Sequence, residues 1–533
     1  MQNLFYINTL KMKVICVTLF KLSKGGYITG IINVARTIFN HANVVKTDKI
    51  ASENVVKTDI YGEINLVKTD KLNYITIVMG DNMYRKIISK LKKWYIDSNN
   101  KALMITGARQ VGKTYIIREF LKETIDSKYY VEFNLFENEK VKETIDNSKN
   151  SQDLLFRLSA LSDKKFVKGK TVIFLDEVQS SSNIITAIKF LVEEGSYRYI
   201  LSGSLLGTEL KNIKSIPVGY MEILQMFPMD FEEFLLANGL NSNVLDKLET
   251  NFETLTKVDD IVHDKLIDMF HLYLIVGGMP SVVKKYLETN NLKDVVMEQE
   301  NICNLYRTDI SKYDINNRLY IKKIFDLIPS EVNNQNKRFI MKNLNENLKF
   351  SRYENSFIWL KDAGVALPCY CADEPKCPLI LSKSRNLFKL FSSDVGLLAS
   401  QYMDGNLQIK ILNKEKDINF GSIYENAIAE ELVSKGFDLY FFKSNKIGEL
   451  DFLIENKGGV IPLEIKSGKN YQKHSALNNV LDSKEYNISK AYILSNENVS
   501  VKDKKVYLPI YMIMFFKKDE IKDMIYKVDL SNI

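Results

Sequence analysis

Five cysteines and nine prolines are few for a chain of 533 residues. The cysteines (Cys16, Cys303, Cys369, Cys371 and Cys377) are odd in number and contain no CxxC pair. That excludes a disulfide framework and points to a reducing compartment, read as the cytoplasm. Spacing within 369–377 is wrong for a zinc ribbon. With 24 glycines beside those prolines, collagen-like and low-complexity classes are excluded. No apolar run approaches the about 18 residues of a membrane span. Strong charge of one sign is also missing: 73 Lys+Arg against 66 Asp+Glu leaves +7, too thinly spread to demand nucleic acid as a partner. What is present is a hydrophobic share of 45%, enough to bury sizeable cores over roughly three domains.

The first 78 residues read differently from the rest. The short apolar run over 14–20 lacks the length and cleavage site of a signal peptide. Asn43-Val44-Val45-Lys46-Thr47-Asp48 returns at 54–59 and, with Leu66 for the first valine, at 65–70, a repeat with a period of 11. Three copies with two adjacent apolar positions each would bury little as a helix. Two readings stand: a weakly ordered extension, or duplicated DNA upstream of the true start, with Met79 and Met83 as initiators. Either way, 1–78 is expected to be non-globular.

From residue 83 the pattern is globular. An amphipathic helix over 84–95 precedes a buried strand over 102–106, which leads into Gly107-Ala108-Arg109-Gln110-Val111-Gly112-Lys113-Thr114 and then a helix over 115–122. This is GxxxxGK[ST] in its required strand-to-helix setting. Its glycines let backbone N–H groups wrap phosphates, Lys113 neutralises the β and γ charges, and the Thr114 hydroxyl ligates magnesium. A second buried strand over 171–175 ends in Asp176-Glu177. The first carboxylate would hold magnesium and the second would orient or deprotonate the attacking water. A third strand over 197–201 ends in Ser202-Gly203-Ser204, where a hydroxyl, Ser204 in particular, can sense the γ-phosphate. The expected cofactors are ATP and Mg2+. The expected catalytic residues are Lys113, Glu177 and Ser204, with Thr114 and Asp176 on the metal.

These motifs resemble those of prokaryotic AAA-type ATPases of the additional-strand, catalytic-glutamate class that carry a C-terminal domain of unknown function with a restriction-endonuclease-like core. Leu175-Asp176-Glu177-Val178-Gln179 and Ser202-Gly203-Ser204-Leu205-Leu206-Gly207 carry the resemblance with the glycine loop. Pro217-Val218-Gly219, the Phe227 to Leu235 stretch and Gly277-Gly278-Met279-Pro280 look like further signatures, although no chemistry follows from their residues. The family usually has a basic residue after Gly219; here Tyr220 stands there. The source of an arginine finger is therefore open, with Arg109 and Arg307 as the candidates.

Between 245 and 410 the pattern is mostly helical. Helices over 340–348 and 353–363 and a strand over 365–370 would suit a winged-helix module, as the resemblance also implies, and Asn336-Lys337-Arg338 is a small basic patch. Beyond 411, a helix over 422–433 containing Glu425 precedes strands over 439–443, 449–455 and 460–466. The period of two puts Glu464 and Lys466 on one strand face, with Glu449 and Asp451 together on the partner. Glu425, Asp451, Glu464 and Lys466 form the constellation of a PD-(D/E)xK nuclease core. In it Asp451 and Glu464 would hold a divalent cation and Lys466 would position the attacking water.

The expected architecture is α/β: a P-loop parallel-sheet ATPase domain over 83–240, a helical, winged-helix-like middle over 241–410, and a mixed restriction-endonuclease-like domain over 411–525. The leading function is an ATP-binding, ATP-hydrolysing protein coupled to that last domain. Two alternatives are a metal-dependent nuclease under ATP control and a non-catalytic switch or scaffold. Expected partners are ATP and either DNA or a protein, with a homo-oligomer as a further option and no membrane span.

Overall fold

The computed structural model describes residues 83–97, 100–204, 219–313, 317–334, 338–344, 353–403, 405–415, 421–468 and 474–519, together with the backbone of five short strands before residue 78. Two units separate, Met1–Met83 and Tyr84–Ile533. In the first, Leu4–Thr9 pairs antiparallel with Met12–Val17, and Val55–Lys57, Glu63–Thr69 and Leu72–Ile77 form an antiparallel meander. Two of the repeat copies thus fall on adjacent strands, and the first copy lies outside the described residues.

The second unit begins with a five-stranded parallel sheet: β1 (Ala102–Thr106), β2 (Tyr130–Asn134), β3 (Val172–Asp176), β4 (Arg198–Ser202) and β5 (Met221–Gln225). Their order is β5-β1-β4-β3-β2. β4 lies between the strand that feeds the glycine loop and the strand that ends in Asp176. Strands β1, β3 and β4 are runs of aliphatic and aromatic residues because helices cover both faces, as parallel sheets require. The core joins Phe133, Ile173, Leu175 and Leu201 to Leu154, Leu158 and Ile188 of the flanking helices. The polar residues Asn134, Asp176 and Ser202 are each the last of their strand. All therefore emerge at the carboxyl edge, where open α/β sheets bind ligands.

A helical stretch follows from Phe231 to Asn333, with long helices at Asp260–Val276, Leu292–Tyr313 and Arg318–Asn333. Within the expected 340–348 helix, a single 3-10 turn, Met341–Asn343, is described, and 345–350 lie outside the described residues. Helix Glu354–Asp362 then leads to an antiparallel hairpin of β6 (Ala366–Ala372) and β7 (Lys383–Ser392).

That hairpin does not stay within a separate middle module. β6 pairs in parallel with β8 (Tyr440–Ser444), which continues through β9 (Gly448–Asn456), β10 (Gly459–Lys466), β11 (Ala491–Ser495), β12 (Ser500–Lys502) and β13 (Lys505–Pro509). The sheet has eight strands in the order β7-β6-β8-β9-β10-β11-β13-β12 and runs across the boundary expected near 410. Backbone pairing decides this: β6 satisfies its second edge against a strand roughly seventy residues later, a partnership that no local pattern announces. The β9–β10 hairpin turns at Lys457 and Gly458, both with positive φ, the geometry of a two-residue type I′ turn. No single helix among the described residues is long and apolar enough to cross a membrane.

Candidate functional site

The loop after β1 is shaped by backbone that leaves the usual region three times, at Gly107 (φ 140°), Gln110 (φ 71°) and Gly112 (φ 90°). A side chain at Gly107 would run into the Met226 carbonyl just past β5, so only glycine fits there. Gln110 pays about 1–2 kcal/mol for its left-handed conformation, which lets the loop curl its amides inward as an anion nest. Lys113 opens the Lys113–Thr124 helix and folds its ammonium back over the loop, 3.0 Å from the Gly107 carbonyl and 2.8 Å from that of Ala108. Burial lowers its pKa to about 8, although Glu177 and Asp176 pull the other way. A phosphate beside it would supply the missing counter-charge.

Sixty-two residues away in sequence, Asp176 meets the next residue of that helix: the Thr114 hydroxyl donates to both carboxylate oxygens, at 3.1 and 3.0 Å. Asp176 is buried and also accepts from the Ser202 hydroxyl and, at 3.5 Å, from the Asn134 amide. Hydroxyl and carboxylate oxygens are hard donors that suit Mg2+, which typically takes one or two protein oxygens and completes its shell with phosphate and water. Thr114 and Asp176 would hold the ion; what it adds is neutralisation of phosphate charge.

Glu177 sits at φ 55° and ψ 45°, a left-handed conformation that costs a non-glycine residue about 1–2 kcal/mol. Such strain concentrates at functional sites. It turns the carboxylate away from the strand axis and into the reach of the Gln179 amide, which also donates to the Ser204 hydroxyl at 3.3 Å. One amide therefore links the two residues expected to handle the attacking water and the γ-phosphate.

Lys113, Thr114, Asp176, Glu177 and Ser204 are thus assembled at one sheet edge. Ser202, from the same expected serine turn, joins them, as do Asn134, which was not expected, and Gln179, which carried no expected role. Asn134 carries the signal that identified Asp176 and Ser202, a polar residue closing a buried strand, whereas Gln179 stood in a motif without any chemistry of its own to name it. Neither arginine candidate projects freely. Arg109 grips Asp309 of the Leu292–Tyr313 helix at 2.7 and 2.8 Å, and Arg307 pairs with Asp326 at 2.9 Å.

The signatures that carried no chemistry turn out to be joints around this loop. In the 227–235 stretch, Asp230 caps helix Phe231–Ala237 and forms a capping box with Glu233. Arg85 ties that box to the loop, reaching Glu233 at 3.1 Å, the Phe227 carbonyl at 2.6 Å and the Val111 carbonyl at 3.1 Å. From the other side, Glu431 of helix Gly421–Ser434 accepts from the Phe231 amide at 2.6 Å. Gly278 lies flush on the Met229 backbone, where a side chain would collide. Its own amide donates to buried Asp394 at 2.7 Å. Of the Pro217-Val218-Gly219 motif only Gly219, with φ 97°, falls among the described residues.

Residues 99–235 match the family profile of an AAA domain. Over that stretch the chain carries an AAA domain. Beyond it, residues 267–408 match a domain of unknown function, DUF8612, and 420–513 another, DUF4143. No curated protein matches the chain. Among solved structures, a Walker-type ATPase of Pyrococcus abyssi aligns with 13% identity and a TM-score of 0.38, covering 61% of this chain and 97% of that one. The Aeropyrum pernix Orc1 protein in complex with DNA aligns with 10% identity and a TM-score of 0.28, covering 61% and 95%.

Away from the ATPase domain, the predicted C-terminal residues do converge. Asp451 accepts the Ile465 amide at 2.8 Å, Lys466 pairs with Glu464 at 2.7 Å, and Glu464 feels both Asp451 and Glu425. Glu464 is buried, and burial together with Asp451 pushes its carboxyl up to about 8 against the pull of Lys466. Two residues absent from the expected set stand among them, Lys389 and Glu449. Lys389 Nζ lies 3.5 Å from Glu425 and 3.2 Å from Glu449. The residues do not fit a divalent ion as the motif implies, because a second, buried ammonium beyond the motif's own Lys466 already stands against Glu425 and Glu449. No three His, Cys, Asp or Glu side chains among the described residues are grouped to hold a metal.

Proposed function

We propose that this chain hydrolyses ATP with Mg2+ and uses the cycle to change how its middle and C-terminal parts are held, so that its output is conformational. One observation carries the reading: the Thr114 hydroxyl and the Asp176 carboxylate, from two motifs far apart in sequence, meet at 3.0 Å beside Lys113. Glu177, strained next to them, serves as the base that orients or deprotonates the attacking water, and Gln179 positions it. Ser204, linked through the same amide, senses the γ-phosphate. Coupling is supported by Arg109, which belongs to the phosphate loop and grips Asp309 in the middle region. The Tyr306 hydroxyl, one turn away on that helix, donates to the Arg109 carbonyl at 3.0 Å.

The test is ATP turnover at saturating Mg2+ by the wild type and Glu177→Gln. The variant should retain nucleotide binding and lose about 10²–10⁴-fold in kcat, the range of general-base catalysis. Equal turnover in the two proteins would sink the reading and leave a nucleotide-binding scaffold. Convergence of Asp451, Glu464 and Lys466 favours a second reading, a nuclease under ATP control, but Lys389 opposes its metal step.

A further inference from the structure

The C-terminal site contains one side chain that its motif does not call for. Lys389 comes from β7, the edge strand contributed by the 267–408 segment, and is fully buried. Its stem crosses beside Cys369, its partner on β6, and over the ring of Phe441 on β8, with the ammonium 5.0 Å from the ring centroid. The ammonium ends 3.5 Å from Glu425 on helix Gly421–Ser434 and 3.2 Å from Glu449 on β9, within the field of Asp451. An unpaired lysine at such depth would shed its proton; here the surrounding carboxylates raise its pKa in spite of burial.

The other charges around it are matched as well. Glu449 also meets Lys443 at 3.1 Å and Arg338 at 3.7 Å, and Glu464 meets Lys466 at 2.7 Å. Asp451 is held by a backbone amide. Arg338, Lys389 and Lys443 thus converge on Glu449, Lys389 also faces Glu425, and Lys466 faces Glu464. A divalent ion held there would sit close to a fixed ammonium in a poorly screened interior, where like charges repel strongly.

We propose that Lys389 is the resident cation of this acidic site: a monovalent charge built into β7 that stands where a nuclease of this fold would bind a divalent metal. The site is then a joint, not a phosphodiesterase centre. It fastens the 267–408 segment, through β7, to the helix and strand of the 420–513 segment that carry Glu425 and Glu449. This assignment is independent of ATP hydrolysis at the other end of the chain.

The experiment is Mn2+ binding to the full chain without nucleotide, followed by electron paramagnetic resonance of the free ion. Wild type and Glu464→Gln should bind Mn2+ identically, because Glu464 holds none. Lys389→Met, nearly isosteric and uncharged, should gain one site per chain, and the added Glu464→Gln change should remove it. One Mn2+ bound by the wild type and lost in Glu464→Gln overturns the proposal, as does a folded Lys389→Met protein that gains no site. Where Lys389→Met does not fold, the comparison of wild type with Glu464→Gln still decides, and Lys389→Arg, which keeps a cation, should match the wild type.

Discussion

The proposed nucleotide site and the C-terminal cluster are built from the same parts, buried carboxylates with lysines near them, yet their charges are arranged in opposite ways. Asp176 is surrounded by neutral donors: the hydroxyls of Thr114 and Ser202 and the amide of Asn134. Lys113 rests on backbone carbonyls and is held below its ordinary pKa. Asp176 and Lys113 are each held by dipoles in place of a direct ion pair, so an incoming cation and an incoming phosphate both improve the electrostatics. In the C-terminal cluster Lys389, Lys443 and Arg338 already pair with Glu425 and Glu449, and Lys466 stands against Glu464. A site that is to accept charge from a ligand keeps its own charges on neutral partners; a site that pairs them internally holds the chain together.

The sharpest way to break this contrast is at Asp176. Asp176→Ala removes the proposed magnesium ligand and should lower kcat for ATP by about 10²–10³-fold, since a metal's charge stabilisation is worth several kcal/mol. Steady-state turnover within threefold of wild type would mean that Asp176 is not on the metal.

The two lysines should then separate by stability. Lys389→Ala leaves Glu425 without its ammonium and should cost about 3–5 kcal/mol in denaturant unfolding. Lys113→Ala should change stability by less than about 1 kcal/mol while abolishing ATP binding, because a desolvated lysine with a lowered pKa contributes nothing favourable to the fold. Equal losses from the two variants would erase the distinction between a ligand site and a joint.

The smallest effect concerns pH. Because Glu464 has a higher pKa folded (about 8) than unfolded (4.5), the native state binds more protons in that window, so its contribution to stability falls as pH rises from 4.5 to 8. Glu464→Gln should flatten this slope, and the variant should gain on the wild type most above pH 8. Thermal unfolding at pH 5 and pH 9 measures it. A gap between the two proteins that does not widen with pH would show that Glu464 is ionised throughout.

Nearly all of the ATPase core was legible in advance. Strands over 102–106, 171–175 and 197–201 appear within one residue of their expected bounds, because a buried parallel strand is written as an uninterrupted apolar run. Their terminal polar residues named the site. The hairpin turn and the β9–β10 pair were equally readable from local turn chemistry. The attachment of β6 to β8 was not, nor were the roles of Arg85, Asp309 and Glu431, since each acts on a residue distant in sequence.

By itself, the sequence placed the residues of the proposed nucleotide site. A phosphate loop works through backbone shape and a few side chains at fixed spacing, and both are local properties of the chain. Only the tertiary structure brought Lys389 into the C-terminal constellation. Its meaning turns on Lys389, which stands outside the motif on the far edge of the sheet. Electrostatics depends on distance in space, so one ammonium brought in by folding can change the reading of four residues that folding brings together.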